Sequence, residues 1–168
     1  MRLDLRHAAI SVAILCGLAA TPASAGVSAA SGASGEILQE IQFAVLLDMN
    51  FGRIAVRDNT VGGSVTIDPA SGARNCDPSL VCTGTFAVSR LDLTGSDANV
   101  QVNFAPTFQL TGPGAPINAT PMFPGGPGAV VRLSGGHTVV NFGARIDINP
   151  GQAPGIYNGT FSVNLEYN

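Results

Sequence analysis

Polar and apolar residues alternate along much of the chain, most cleanly near its end. Tyr157, Gly159, Phe161, Val163, Leu165 and Tyr167 fall on one parity; Asn158, Thr160, Ser162, Asn164 and Glu166 fall on the other. A period of two marks a strand whose faces meet different surroundings, so a strand is predicted over 157–167. An apolar face of that length on an open edge invites aggregation, so the strand must be held in a sheet. Residues 99–104 alternate likewise, with Val100, Val102 and Phe104 on one side. Further short strands are predicted over 51–56, 63–68, 84–93, 107–111, 129–133, 138–142 and 144–148. Gly-, Pro- and Asn-rich turns punctuate them at 59–63, 112–114, 124–128 and 149–151. Earlier, Ile37, Ile41, Phe43 and Val45 share a parity more apolar than that of Leu38, Glu40, Gln42, Ala44 and Leu46. This predicts a half-buried strand, with a helix as rival because Ile37, Leu38, Ile41 and Val45 also fit helical spacing.

Many short strands without a convincing long helix predict an all-β fold, a single β-sandwich of immunoglobulin-like build over residues 36–168. An eight-stranded membrane barrel fits the length but needs aromatic girdles, and the chain has no Trp and 2 Tyr.

The first 25 residues read differently. Arg2 and Arg6 precede an apolar run from Ala8 to Ala20, and Ala23 and Ala25 form the small-x-small pattern of a signal-peptidase site. The run is shorter than the roughly 20 residues needed to span a bilayer. A cleaved signal peptide over 1–25 is therefore expected, with no membrane span after cleavage and an exported destination: periplasm, cell surface or medium. The lipoprotein alternative at Cys16 is disfavoured by bulky Leu15 before it. Residues 26–35, only Gly, Ala, Ser and Val, form a flexible leader.

Export bears on the cysteines. Cys16 leaves with the signal, and Cys76 and Cys82 remain as an even pair, expected to form a structural disulfide in an oxidising compartment. Charge excludes some partners. The whole chain carries a formal net charge of −3, and loss of Arg2, Arg6 and Asp4 takes it to −4. Neither nucleic acid nor anionic lipid suits that balance. Lys is absent altogether, so cross-linking through Lys isopeptide bonds is excluded.

Catalytic chemistry finds little purchase. After the signal, His137 is the one His, so neither a multi-His metal site nor a Cys–His pair can be assembled. No Gly-x-Ser-x-Gly motif supports a Ser nucleophile, and His137 reads as a turn residue. The carboxylates are scattered, Asp92 and Asp97 flanking a turn and Asp147 lying near Pro150. No enzyme activity and no cofactor are expected.

Several blocks carry a family resemblance. They are 48–54 (Asp-Met-Asn-Phe-Gly-Arg-Ile), 63–72 (Gly-Ser-Val-Thr-Ile-Asp-Pro-Ala-Ser-Gly), 86–89 (Phe-Ala-Val-Ser) and 150–163, from Pro150 through Tyr157 and Phe161 to Val163. Together they resemble the bacterial DUF4402 domain over nearly the whole exported chain; the Cys76–Cys82 loop is a departure. The resemblance implies an exported, β-rich protein like fimbrial or coat-protein subunits. The ending also resembles chaperone–usher pilins, whose subunits close with an alternating strand, a penultimate Tyr and a Gly shortly upstream, here Tyr167 and Gly155. That likeness implies a groove beside the last strand, with Gly155, Tyr157, Phe161, Val163, Leu165 and Tyr167 bordering it. A neighbour's N-terminal segment would fill it by strand addition. Ile37, Ile41, Phe43 and Val45 are then either donor residues or the domain's own first strand. Self-association, a periplasmic chaperone and an outer-membrane usher are the implied partners. The expected role is a non-catalytic structural subunit of a fimbria-like or coat-like assembly. The alternative is a monomeric exported binding or adhesion module for a glycan or surface ligand, using polar loops such as 112–128.

Overall fold

The structure, a computed structural model, describes residues 29–168; the expected signal peptide and the first leader residues lie outside them. The compact unit Glu36–Asn168 is all-β. Its strands are β1 (Gln42–Leu47), β2 (Arg53–Val56), β3 (Gly63–Ile67), β4 (Arg74–Cys76), β5 (Leu80–Thr83) and β6 (Ser89–Thr94). They continue as β7 (Asn99–Phe104), β8 (Phe108–Leu110), β9 (Ile117–Met122), β10 (Ala129–Arg132), β11 (His137–Ile148) and β12 (Val163–Tyr167).

Strand β11 is the spine. Residues 137–142 pair with β6, and 143–148 pair with β9 and with β3. The large sheet runs β1-β6-β11-β3-β4, with β8 joined through β9; a second sheet is β10-β7-β12, and β2 and β5 form a third, two-stranded one. Every pairing among named strands is antiparallel.

Two cores lie along the two halves of β11. Val140 and Phe142 join Leu91, Leu93, Val102, Phe104 and Phe123 in one, where the three-stranded sheet covers β6 and β11. Ile146 and Ile148 join Val65, Leu80, Ile117 and Ala119 in the other, capped by Ile54 and Val56 of the β2–β5 ribbon. Phe142 is fully buried, with ring centroids of Phe104, Phe123 and Phe161 at 5.5, 4.7 and 5.4 Å. Arg74 ties the ribbon on: its guanidinium donates to the carbonyls of Phe51 and Thr83 at 2.9 and 3.1 Å and lies over the Phe86 ring.

Four departures from the sequence pattern are physical. Residues 138–142 and 144–148 are one strand, not two. Gly143 between them marks the change of partners, and a Cβ there would collide with the Ile67 carbonyl and crowd Pro69. The stretch 112–128 is not wholly a polar loop: it contains β9, whose Ile117 and Ala119 are buried. The final strand is shorter than 157–167. Only 163–167 pair with β7, while Asn158 makes an isolated bridge to Thr111. Gly159 is pressed against the Gln109 carbonyl and Phe161 stacks on Phe108. The alternation there records packing against two neighbours in turn, not one ladder. Finally, the strand predicted from Ile37, and not its helical rival, forms, but it begins only at Gln42 and is exposed throughout instead of half-buried, with Ile37 outside it and 98% exposed.

Candidate functional site: two open sides of the sandwich

The sandwich is open on both flanks. On the first flank, β1 pairs with β6 alone and is an edge. Phe43 lies opposite Leu93 and Val45 opposite Leu91, so both point toward the layer where those leucines are buried. Yet Phe43 is 57% and Val45 54% exposed, because no strand of the opposite layer covers them. A bulge after Val45 adds Leu46, also half exposed, on this edge. The strand has no Lys or Pro to guard it, the devices natural edges use against pairing.

The segment before β1 is pinned to β12. The Tyr167 hydroxyl donates to the Gln39 carbonyl at 2.7 Å and accepts from the Ser96 N–H at 2.8 Å. The Gln39 N–H donates to Ser96 Oγ at 2.7 Å. β12 is itself an edge, paired only with β7. The first flank is thus bounded by two free strands, β1 and β12, tied together at one end.

On the second flank, β10 is the far edge of the small sheet, and β11 has a free edge over 137–142. β3 leaves β11 at Ala144 because its chain turns away: Pro69 cannot donate to the ladder, and the Gly72 N–H closes onto the Asp68 carbonyl. The result is a groove of about 430 Å³ between β10 and β11. Its lining includes Phe123, Val130, Val131, Thr138, Val139 and Val140, and none of its lining residues is charged. Val131 of β10 and Thr138 and Val140 of β11 have the inward parity, whereas Val130 and Val139, 48% and 39% exposed, face outward on either side of the opening. The Gly135–Gly136 turn leads from β10 into β11; both residues have positive φ, 66° and 79°, as a tight two-residue turn requires. Arg132 and His137 flank that turn. Arg132 reaches Asp97 at 2.6 Å, and His137 Nε2 stands 2.6 Å from Asp92 Oδ1, off the line of a hydrogen bond.

The residues singled out from the sequence fall in five places. Ile37 and Ile41 precede β1, and Phe43 and Val45 stand on it; β1 is paired within its own chain. Phe161, Val163 and Leu165 pack into the first core, which makes them part of this domain's interior instead of an empty groove wall. Tyr167 is the pin described above. Gly155 and Tyr157 lie in the loop before β12. Gly155 abuts Pro113, while the Tyr157 hydroxyl donates to the Ala153 carbonyl at 2.8 Å and accepts from the Gly114 N–H and Gln152 Nε2. Cys76 and Cys82 form the disulfide, with Cα atoms 6.2 Å apart, joining β4 to β5. Sequence reading missed the β10–β11 groove. Pro69 stopping one strand while 138–142 stay strongly apolar is the signal that marks it.

Three carboxylates outside these flanks are held below their ordinary pKa by local hydrogen bonds. The Ser71 N–H and hydroxyl, then the Ala70 N–H, lower Asp68; the Thr60 hydroxyl and N–H lower Asp58; the Ser79 N–H and hydroxyl lower Asp77. All three brace turns. Among the described residues no group of three or more His, Cys, Asp and Glu is placed to hold a metal, and no helix is long and apolar enough to cross a membrane.

No curated protein and no solved structure matches the chain. One family does, described only as a domain of unknown function, over residues 41–167. That match covers β1 through β12 and both open flanks, and the chain belongs to the DUF4402 family.

Proposed function

We propose that this chain is an exported, non-catalytic structural subunit of a fimbria-like or coat-like surface assembly, joined to its neighbours by strand addition. The observation that carries the reading is β1: an edge strand with a free backbone ladder, apolar on both faces and unguarded by charge. Exposed contiguous apolar surface of this kind marks interaction sites, and a free strand edge recruits another strand. The disulfide fits an oxidising destination. Such an edge needs cover between synthesis and assembly, so a periplasmic chaperone and an outer-membrane usher are the partners this reading calls for.

A second reading has one observation in its favour. A polar hollow of about 450 Å³ lies at the end of the sandwich, lined by Gln39, Glu40, Gln42, Thr94, Gly95, Gly135 and Gly136. A monomeric adhesion module would use it for a glycan or other surface ligand.

The test is a sheared surface fraction from the native cell, run on SDS gels with and without boiling and probed for this chain. A multimer ladder that collapses on boiling supports the assembly. A single band at the subunit mass in both lanes refutes it and favours the monomeric module.

A further inference from the structure

Resting on the assembly reading, one question is which surfaces meet. We propose that copies join head to tail, β1 of one laid along the open 137–142 edge of β11 in the next, and β12 of the first abutting β10 of the second. The groove's occupant is therefore β1 of a second copy.

The topology sets up this join. Face to face, the layers run β1-β6-β11 and β12-β7-β10, so the β1/β12 flank and the β11/β10 flank lie on opposite sides of one sandwich. Two different, complementary flanks make a heterologous interface, which repeats without closing and so builds a filament. Direction also agrees. β1 and β11 are each antiparallel to β6, so in a translated repeat they meet in parallel. β10 and β12 are each antiparallel to β7, so they also meet in parallel.

Register matches residue by residue. Gln42 and His137 both lie opposite Thr94, Phe43 and Thr138 opposite Leu93, and Val45 and Val140 opposite Leu91. A translated β1 therefore sets Phe43 beside Thr138, Ala44 beside Val139 and Val45 beside Val140. Phe43 and Val45 then face the layer of Val131 and Phe123, where the groove opens. Asn141 Oδ1, buried with no hydrogen-bond partner in its own chain, lies on this edge.

Residues 29–52 contain Glu36, Glu40 and Asp48 and no basic residue. With Gln42 level with His137, Glu40 of the incoming strand arrives at the Gly135–Gly136 turn, beside Arg132, which holds Asp97 at 2.6 Å, and His137, which stands 2.6 Å from Asp92. At the lower end Asp68 is the neighbouring acid, and its carboxylate is already engaged by the Ala70 and Ser71 N–H groups.

The experiment is a mixing test on the purified, disulfide-bonded exported chain, read by sedimentation velocity. Phe43→Arg blocks the ridge, and Thr138→Arg, on the inward parity and opposite Leu93 as Phe43 is, blocks the groove. Phe43 is exposed and Thr138 is half-buried at the open edge, and far-UV circular dichroism checks that each variant folds. Val61→Arg, an exposed apolar site on neither flank, is the control. The expected result has three parts: wild type and Val61→Arg form a concentration-dependent open series, each flank variant alone stays monomeric, and an equimolar mixture of the two gives a 1:1 dimer. The dimer arises because each partner keeps one intact flank. If folded Thr138→Arg associates as wild type does, the groove is not the receiving surface and this proposal falls, while the assembly reading stands. If the two flank variants are monomeric alone and stay monomeric when mixed, the join is not head to tail. A wild-type chain that stays monomeric at every concentration overturns the proposal and the assembly reading together.

Discussion

Replacing Phe142 by Ala removes the ring at the centre of the larger core. The side chain is fully buried and touches three other aromatic rings. Truncating a buried Phe costs about 3–5 kcal/mol, transfer and cavity together. Aromatic pairs add about 0.5–1.5 kcal/mol each beyond area, so the upper half of that range is expected. For a domain of this size 1 kcal/mol moves the midpoint by about 3–4 °C, giving a fall of about 12–20 °C. Phe43 supplies the contrast. It has the same side chain, is more than half exposed on an open edge, and its replacement by Ala costs under about 1 kcal/mol in the dilute chain. Both are measured by urea unfolding followed by far-UV circular dichroism, the disulfide intact, at concentrations where the chain is monomeric. A Phe142→Ala loss below about 2 kcal/mol, or a Phe43→Ala loss equal to it, would refute the assignment of core and edge.

Other outcomes follow from the same geometry. Cys76→Ser lowers stability by about 2.3 kcal/mol, the loop-closure estimate for so short a loop, and leaves the fold intact; thermal melts with and without reductant check it. Tyr167→Phe removes the hydroxyl that holds Gln39 and Ser96. It costs about 1–3 kcal/mol locally and makes residues 36–41 more sensitive to limited proteolysis, with little change in the global midpoint. Gly143→Ala forces a Cβ into the Ile67 carbonyl and loses more stability than any exposed substitution named here, as urea unfolding will show. The depressed carboxylates give an acid limb. Asp58, Asp68 and Asp77 titrate below the ordinary aspartate pKa when folded, so between the folded and unfolded values the unfolded chain binds more protons. Their stabilisation is present above about pH 4 and is lost as pH falls through the folded values. Asp68→Asn should flatten that limb in acid titrations of stability, and an unchanged limb would remove Asp68 from the account.

Much of the framework was legible in the chain because alternation and burial coincide where both faces have clear surroundings. Val100, Val102 and Phe104 of β7 and Val65 and Ile67 of β3 are buried as their parity demands. The Cys pair was legible because two cysteines in a short loop leave one pairing. β9 was hidden: Pro116 precedes it, Pro121 interrupts its pattern and Asn118 and Thr120 face outward, so its buried residues are only Ile117, Ala119 and Pro121. β11 was split in two because Gly143 reads as a break, whereas its missing side chain is what admits β3. The parity of Phe43 and Val45 told which way they point but not whether anything lies above them. That depends on where the opposite layer ends, which no local pattern encodes. The groove between β10 and β11 depends on residues far apart in sequence, Pro69, Val130 and Val139, and so stayed invisible until the strands were placed.

Hydrogen exchange measured by mass spectrometry, comparing the chain in a sheared surface fraction with the same chain as a dilute monomer, tests the claim that the open edges are where subunits join. Amides of residues 42–47 and 137–142 should exchange freely in the monomer on their unpaired sides and gain protection together in the surface form, while β3 and β7 stay unchanged. Surface material showing the same exchange as the monomer at both edges, or new protection confined elsewhere, would contradict the account.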